Sequence, residues 1–500
     1  MTTLVPKYDQ GATGAVNRPF NLKLAESISV FDFGATGNGT TDDTVAIQNA
    51  VNACYGASLY FPPGNYKITS AINILSSIVI QGAQDKVTIL LATQNQNGFV
   101  VGDGTSGTRS AAGGVVIQYI NFNPFNGVTA FASGSCIFLN YVYGTRILNC
   151  TFYGKDASAT KFYHGITAFQ VQEYFITYCN FNYLLGNGHL VSGSSGTGLR
   201  TSDGRIDFCE FINITLDCVY FGAYTEGMTL NCAIAYSFTA AAVHIESNLY
   251  NIFILQPDFE LDGSSSGIYV NNCSNVQIVG GWIGGSGTQG GLYVTSTASG
   301  VCAIGVIFGQ SRVTLNGPEC QIVGCDIVGL FPLTGSYIGL QLATTANAIV
   351  ITGNKIRQWS NAGISFSGTL SVGAITGNIF VSNANDILGS AWNPLVSAPV
   401  GIAGNSTDVA FAITAATTLT LSPAKIYYQV TGATSVQYII AMPAGLALSI
   451  QAGAGGITLV NGGGANGFTL KGAVNASVPA YSVLQLMSVG TGWIELSRGF

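Results

Sequence analysis

The feature that most constrains this chain is a short pattern that recurs along its middle. From about residue 113 to 385 the text repeats an apolar residue, two variable residues, a small or Cys/Asn residue, one variable residue, then Phe or Ile. The copies read ILNCTF, ITYCNF, IDFCEF, TLNCAI, ILQPDF, IVGGWI, AIGVIF, IVGCDI, ITGNKI and ITGNIF. They begin at Ile147, Ile176, Ile206, Thr229, Ile254, Ile278, Ala303, Ile322, Ile351 and Ile375, in steps of 29, 30, 23, 25, 24, 25, 19, 29 and 24. A second strand-like motif precedes many of them (GITAF, CVYFG, AVHIES, GIYVNN, GLYVTS), each followed by the Gly, Ser, Asn or Thr that punctuate strands. Two or three short strands per repeat leave no room for a crossover helix. The expected architecture is all-β, a parallel β-helix in which each coil buries its inward face on the next.

Composition agrees with a solenoid. At 500 residues the chain exceeds what one ordinary core encloses. With 48% hydrophobic and 8% charged residues, it must bury its apolar surface or enter a membrane. No apolar run reaches 18 residues, and MTTLVPKYDQG has no secretory layout, so no membrane insertion and synthesis in a cytoplasm are expected. A net charge of −6 with 17 Lys and Arg argues against nucleic acid as a partner. The 11 cysteines are odd in number and sit in strand-like text, as small buried hydrophobes do. Only Cys320 and Cys325 approach paired spacing, and no Asp cluster has calcium-loop spacing. Neither a metal nor a cofactor is expected. The fourth motif position is expected to stack Cys150, Cys179, Cys209, Cys232, Pro257, Gly281, Val306, Cys325, Asn354 and Asn378 at a tight bend.

Before the repeats, Thr40 and Asp43 have capping-box spacing ahead of Ile47, Ala50, Val51 and Cys54, the pattern of a short capping helix over an open β-helix end. SLYFPPGNYKI and IVIQG read as the first coil. Toward the C-terminus, TLTLS, KIYYQV, LALSIQA, VLQLMSV and WIELSR alternate with Gly-rich turns, which suggests an antiparallel β-sandwich or prism. The expected domains are residues 1–25, an N-terminal docking segment; 26–400, the β-helix; and 401–500, a C-terminal β-sandwich domain.

SVFDFGATGNGTTDDTVAIQNAV, followed by YFPPGNYKI, resembles the opening of the pectate-lyase-like β-helix superfamily found in phage tailspikes. LVPKYDQGATGAVNRPFNLKLAES resembles the N-terminus of phage tailspike and tail fibre proteins, and GTGWIELSRGF is similar to their last C-terminal strand. The resemblance implies a right-handed parallel β-helix, a homotrimer, a place in the phage tail after assembly in the host cytoplasm, and a carbohydrate ligand. It also implies docking to baseplate or tail proteins through the N-terminal segment and trimerisation or binding through the C-terminal domain. Asn38 replaces the Asp more usual in the opening motif, and Asp32, Asp42 and Asp43 read as turn and cap residues rather than catalytic ones.

Because charge is scarce, each carboxylate on the repeats can be weighed. Glycoside hydrolysis needs two, roughly 5–5.5 Å apart in retaining enzymes and 6.5–9.5 Å apart in inverting ones. The fifth motif position is outward and is expected to stack Thr151, Asn180, Glu210, Ala233, Asp258, Trp282, Ile307, Asp326 and Lys355. Glu210 and Asp258 then lie two coils apart, about 9–10 Å along the backbone ruler, with Ala233 between them. Trp282 is placed to stack on a sugar ring and Asp207 to hold or tune Glu210. Asp203, Asp217, Glu226, Glu260 and Asp262 fall nearer to turns and compete for these roles. The second motif offers Tyr220, His244, Tyr269 and Tyr293 as an outward row for glycan binding. Glu246 and Asn271 share that face, and His244 with Glu246 forms a candidate acid/base pair. His164 and His189 fall in longer insertions without readable geometry. The same rows also suit plain solvated carboxylates and strand-favouring aromatics.

The function expected is depolymerisation of a bacterial surface polysaccharide (O-antigen, capsule or exopolysaccharide) by an endo-glycosidase. The alternatives are a non-cleaving glycan-binding or structural tail protein, and a polysaccharide lyase. The lyase is disfavoured because the central coils carry Arg205 and little other positive charge.

Overall fold

The computed structural model describes residues 6–24, 26–105, 112–154, 161–194, 200–247, 250–263, 265–285, 290–329, 336–343, 346–367, 373–384, 387–389, 400–403, 406–407, 411–414, 418–419, 427–432, 435–440, 447–462 and 465–499. Residues 1–5 and 25 of the expected docking segment lie outside them. Two compact units are present: Met1–Phe253 with Pro257–Phe259, and Ile254–Gln256 with Glu260–Phe500. Both are built from the same coil, and the fold is a parallel β-helix.

One coil of the first unit shows the plan. Arg205–Asp207 lies on face 1, Glu210–Ile214 on face 2 and Val219–Phe221 on face 3; Met228–Asn231, Ile234–Tyr236 and Ala241–Ile245 follow in the same order. Every strand pairs in parallel with its counterpart one coil on, which turns the sequence motif into vertical rows. Face 1 stacks Ile147, Ile176, Ile206 and Leu230; face 2 stacks Phe152, Phe181, Phe211 and Ala235. The rings of Phe122, Phe152, Phe181 and Phe211 lie at successive centroid distances of 5.4, 4.7 and 4.7 Å, all nearly parallel. Each such fully buried ring contributes about 1.5–3 kcal/mol. This column is the core of the unit.

The register corrects one expectation. Ile206 pairs with Leu230, not Thr229, so the fourth copy of the motif begins one residue later. Its bend residue is therefore Ala233, which is buried, while Cys232 leaves the cysteine ladder and is partly exposed. The outward position becomes Ile234 in place of Ala233. A slip by one residue exchanges inward and outward sets, so both changes follow together.

At the bend before face 2 the small residues have a common task. Cys150, Cys179 and Cys209 donate their thiols to the carbonyls of Ile117, Ile147 and Ile176 on the preceding coil, at 3.7, 3.6 and 3.7 Å. In the second unit Cys325 does the same to Ala303 at 3.5 Å. Asn354 and Asn378 donate from Nδ2 to Ile322 and Ile351, and Asn378 Oδ1 accepts the Asn354 backbone N–H at 3.0 Å. Cys and Asn are thus interchangeable here because either bridges one coil to the one before. Burial holds the thiols of Cys179 and Cys325 above their ordinary range, as fits a structural role.

The helix Thr44–Ala53 buries Ile47, Ala50 and Val51. Gln48 hydrogen-bonds both the N–H and the carbonyl of Asn73 on the terminal strand of face 3, in the manner of one more strand (2.8 and 2.9 Å). An edge closed this way offers no template for further pairing. The expected Thr40–Asp43 capping box is not formed. Asp42 accepts the Thr44 N–H instead, because Asp43 is turned toward the N–H groups of Thr36 and Gly37. A capping box does form earlier in the chain, between Ser29 and Asp32 at the short 3-10 helix Val30–Phe33. Asn38 accepts from the N–H groups of Thr40 and Thr41, which is the work its motif position requires.

In the second unit, face 1 stacks Ile278, Ala303, Ile322, Ile351 and Ile375. The C-terminal strands pair among themselves, and the pairing is mixed. Phe411–Thr414, Tyr427–Thr431 and Ala447–Ala452 run parallel, whereas the expected antiparallel pairing joins Ala447–Ala452, Val483–Ser488 and Trp493–Arg498. Trp493 is buried and donates from its indole to Ile439 O at 3.1 Å.

Candidate functional site

On face 2 of the first unit, Glu210 pairs with Ile234 and Ile234 with Asp258, so the two carboxylates stand in one outward row two strands apart. Strand spacing puts their backbones about 9–10 Å apart. Ile234 stands between them, 42% exposed. Asn180, one coil before, donates from Nδ2 to Glu210 Oε2 at 2.5 Å, which orients the carboxylate along the row. Asp258 is exposed and Glu210 half-buried. Asp207 is turned to other partners: Arg205 Nε donates to both its oxygens (3.0 and 2.7 Å) and Asn231 Nδ2 to Oδ1 (3.0 Å). It neutralises Arg205 on face 1.

Face 3 gathers a denser cluster. Tyr220 pairs with His244, their rings 4.8 Å apart and edge-to-face. Tyr220 donates its hydroxyl to Glu246 Oε2 at 2.6 Å, and His244 Nε2 lies 3.8 Å from the same oxygen. The other ring nitrogen, Nδ1, faces Asp217 Oδ2 at 3.2 Å. Asp217 is itself held, since its Oδ1 accepts the Ala241 N–H and its own N–H donates to Asn187. Burial first, then the Glu246 carboxylate, pushes the Tyr220 hydroxyl well above its ordinary range. The result is an imidazole clamped by a buried carboxylate on one side and facing a half-buried carboxylate on the other. That is an arrangement suited to proton transfer.

Asp217 is the partner that sequence reading placed only among turn residues. It stands 27 positions before His244, a spacing that carries no local signal. His164 and His189 also acquire geometry. His189 faces the interior of face 3, paired with Ile166 and Val219, and burial lowers its pKa to about 3. His164 accepts the Asn187 N–H, and burial lowers it to about 4. Glu226 is paired with Arg200 at 2.7 Å.

Tyr269, Tyr293 and Trp282 belong to the second unit. Tyr269 and Tyr293 pair and stack at 5.5 Å, nearly parallel. Thr295 donates to Asn271 on the same face at 2.9 Å. Trp282 lies over Gly284 and Gly309, where any added Cβ would meet the indole at 2.6 and 2.9 Å. Among the described residues no three His, Cys, Asp or Glu side chains converge as metal ligands, and no helix is long and apolar enough to cross a membrane.

Both first-unit constellations lie within residues 27–275, which match the family described as rhamnogalacturonase A/epimerase, pectate lyase-like. That stretch is a parallel β-helix similar to the pectate-lyase-like family. Mannuronan C5-epimerase AlgE3 of Azotobacter vinelandii is 37% identical to the chain over 86 residues, 14% of this chain and 5% of that protein. Alginate lyase 7 of the same organism is 39% identical over 72 residues, 12% of this chain and 7% of that protein. The match thus spans only a small part of the length of either relative. Among solved structures, the A-module of Azotobacter vinelandii mannuronan C-5 epimerase AlgE6 superposes with a TM-score of 0.56 at 16% identity, over 76% of this chain and 99% of that one. The pre-mature gene product 12 of bacteriophage phi29 gives 0.57 at 14%, over 82% and 62%. Tailspike protein 3 of bacteriophage CBA120 gives 0.50 at 14%, over 86% and 61%. Likeness at such identity is likeness of fold. The pectate-lyase-like stretch carries that fold through both carboxylate-bearing faces.

Proposed function

We propose that this chain is a bacteriophage tailspike that recognises a bacterial surface polysaccharide (O-antigen, capsule or exopolysaccharide) and cleaves it by glycoside hydrolysis. The observation that carries the reading is the Glu210–Asp258 row. Two carboxyl groups about two strand spacings apart, directed outward, leave room for a water and a sugar ring, as inversion requires. One carboxyl group protonates the glycosidic oxygen while the other, ionised, draws a proton from the attacking water. The pectate-lyase-like family match over the same residues supports a polysaccharide substrate, and the fold shared with two bacteriophage proteins supports a tail location. In this reading the spike is a homotrimer assembled in the host cytoplasm. Residues 1–25 dock it to baseplate or tail proteins, and residues 401–500 serve trimerisation or binding.

A second reading rests on the face-3 cluster. Tyr220, His244, Glu246 and Asp217 are arranged for proton abstraction and return, the chemistry of a lyase. One experiment separates them. The protein is incubated with host polysaccharide while chain length is followed by size exclusion and unsaturated ends by ultraviolet absorbance. Shortening without new absorbance, lost in Glu210→Gln and Asp258→Asn while binding persists, supports hydrolysis at face 2. Shortening with absorbance, lost in His244→Gln, transfers the activity to face 3. Binding without shortening makes the spike an adhesin.

A further inference from the structure

Between face 1 and face 2 the successive coils from Val116–Gln118 onward turn through a residue with left-handed backbone. In the second unit that residue is Gln256 once (φ 50°) and then glycine, at Gly280, Gly305, Gly324, Gly353 and Gly377, with φ between 63° and 67°. A Cβ added at Gly305 or Gly324 would meet nothing within 4 Å, so the backbone angle alone, and not crowding, favours glycine there. The first unit makes the opposite choice. Its residues at the same bend are Tyr119, Asn149, Tyr178, Phe208 and Cys232, with φ between 49° and 59°. Aromatic side chains rarely tolerate such angles, and positions where a fold accepts that strain gather at functional sites.

Tyr178 and Phe208 do not repay the strain by burial. They are 59% and 47% exposed, and their rings stack on each other at 5.1 Å, tilted by only 14°. Two residues beyond them stand Asn180 and Glu210, paired in register and hydrogen-bonded. A ring stacked on one neighbour turns its second face to the other side. For Phe208 that side is followed in the bend row by Cys232, too short to cover a phenyl ring. The same intermediate coil carries Ile234, between Glu210 and Asp258.

We infer that Tyr178 and Phe208 form an aromatic platform that seats a hexopyranose unit of the polysaccharide over the coil of Cys232 and Ile234, beside Glu210. The inference rests on the polysaccharide reading above and adds to it the position of one sugar. A pyranose presents a C–H face that matches an aromatic face and a rim of hydroxyls that match Asn180 and Glu210. The occupant is therefore a sugar ring and not an aliphatic side chain of a second protomer, which would leave those polar groups unmatched.

The test uses the full-length protein and Tyr178→Gly, Phe208→Gly and Phe208→Trp variants in a Cys302→Ser background. That background leaves Cys232 as the one cysteine that is not buried. Host polysaccharide binding, thermal midpoint, oligomeric state and maleimide labelling of Cys232 are measured together. The expected result is that the glycine variants keep or raise the midpoint, since glycine adopts this φ freely, while their affinity falls roughly tenfold. Phe208→Trp retains binding, and polysaccharide shields Cys232 from maleimide in the parent but not in Phe208→Gly. Glycine variants that melt earlier yet bind normally would overturn the platform and make the rings a structural brace. Variants that bind normally but dissociate would assign the rings to a protomer contact. A parent protein that binds no host polysaccharide would overturn the functional reading itself, and the platform with it.

Discussion

His189 should make this protein measurably acid-sensitive. The side chain is fully buried in an apolar row between Ile166 and Val219. Nδ1 donates to Ile166 O at 3.1 Å and Nε2 accepts the Tyr174 hydroxyl at 2.9 Å, so both nitrogens are used by the neutral ring. Burial lowers its folded pKa to about 3, against 6.5 for a free imidazole. Below pH 6.5 the unfolded chain takes up a proton that the folded one refuses. Stability is therefore complete above pH 6.5 and falls by about 1.4 kcal/mol per pH unit until the folded pKa is reached. At pH 4.5, two units down, the loss is about 2.7 kcal/mol. Scaling the entropy of unfolding to this chain length gives about 1–2 °C per kcal/mol, hence a drop of about 3–5 °C from this residue alone. The assay is the thermal midpoint between pH 7.5 and 4.5 for the wild type and His189→Gln, whose amide oxygen still accepts from Tyr174. His164, lowered to about 4 by burial, and the carboxylates titrate in both proteins and cancel in the difference. If the two midpoints fall in parallel, His189 is not held neutral and the reasoning fails.

Other consequences are checked more simply. Glu210→Gln and Asp258→Asn should each lower the rate of polysaccharide shortening by about 10²–10⁴ with little change in affinity, read by reducing-end assay. Asn378→Ala strands the Asn354 backbone N–H and the Ile351 carbonyl in the interior and leaves the Asn354 amide only its bond to Ile322. At about 1–3 kcal/mol for each of the two stranded groups, the loss should total about 2–6 kcal/mol in denaturant unfolding. Asn378→Cys should cost less, because a thiol keeps the bridge to the preceding coil. Gly324→Ala should cost only about 1–2 kcal/mol, since the new methyl meets no atom and only the left-handed backbone opposes it.

Much of the architecture was legible because the repeat is short and regular. Ile147, Ile176 and Ile206 announce one row, Phe152, Phe181 and Phe211 another, and the pairing follows both. Reading failed where two frames fit equally well. Thr229 and Leu230 both open an acceptable motif, and only the hydrogen-bonded ladder chooses Leu230, which brings Ile234 rather than Ala233 between Glu210 and Asp258. The C-terminal strands were visible as strands, but alternation looks the same in parallel and antiparallel neighbours, so their mixed pairing was not.

By itself, the sequence determined the coil, its period and, apart from the copy that opens at Leu230, which side chains share an outward row, because strand alternation and repeat length are local properties of the text. The tertiary structure decided which rows acquire partners. Asp217 meets His244, Asn180 meets Glu210, Tyr178 stacks on Phe208, and His189 turns inward. Those meetings depend on how the loops of unequal length close each coil, and closure is set by packing between coils, not by spacing along the chain.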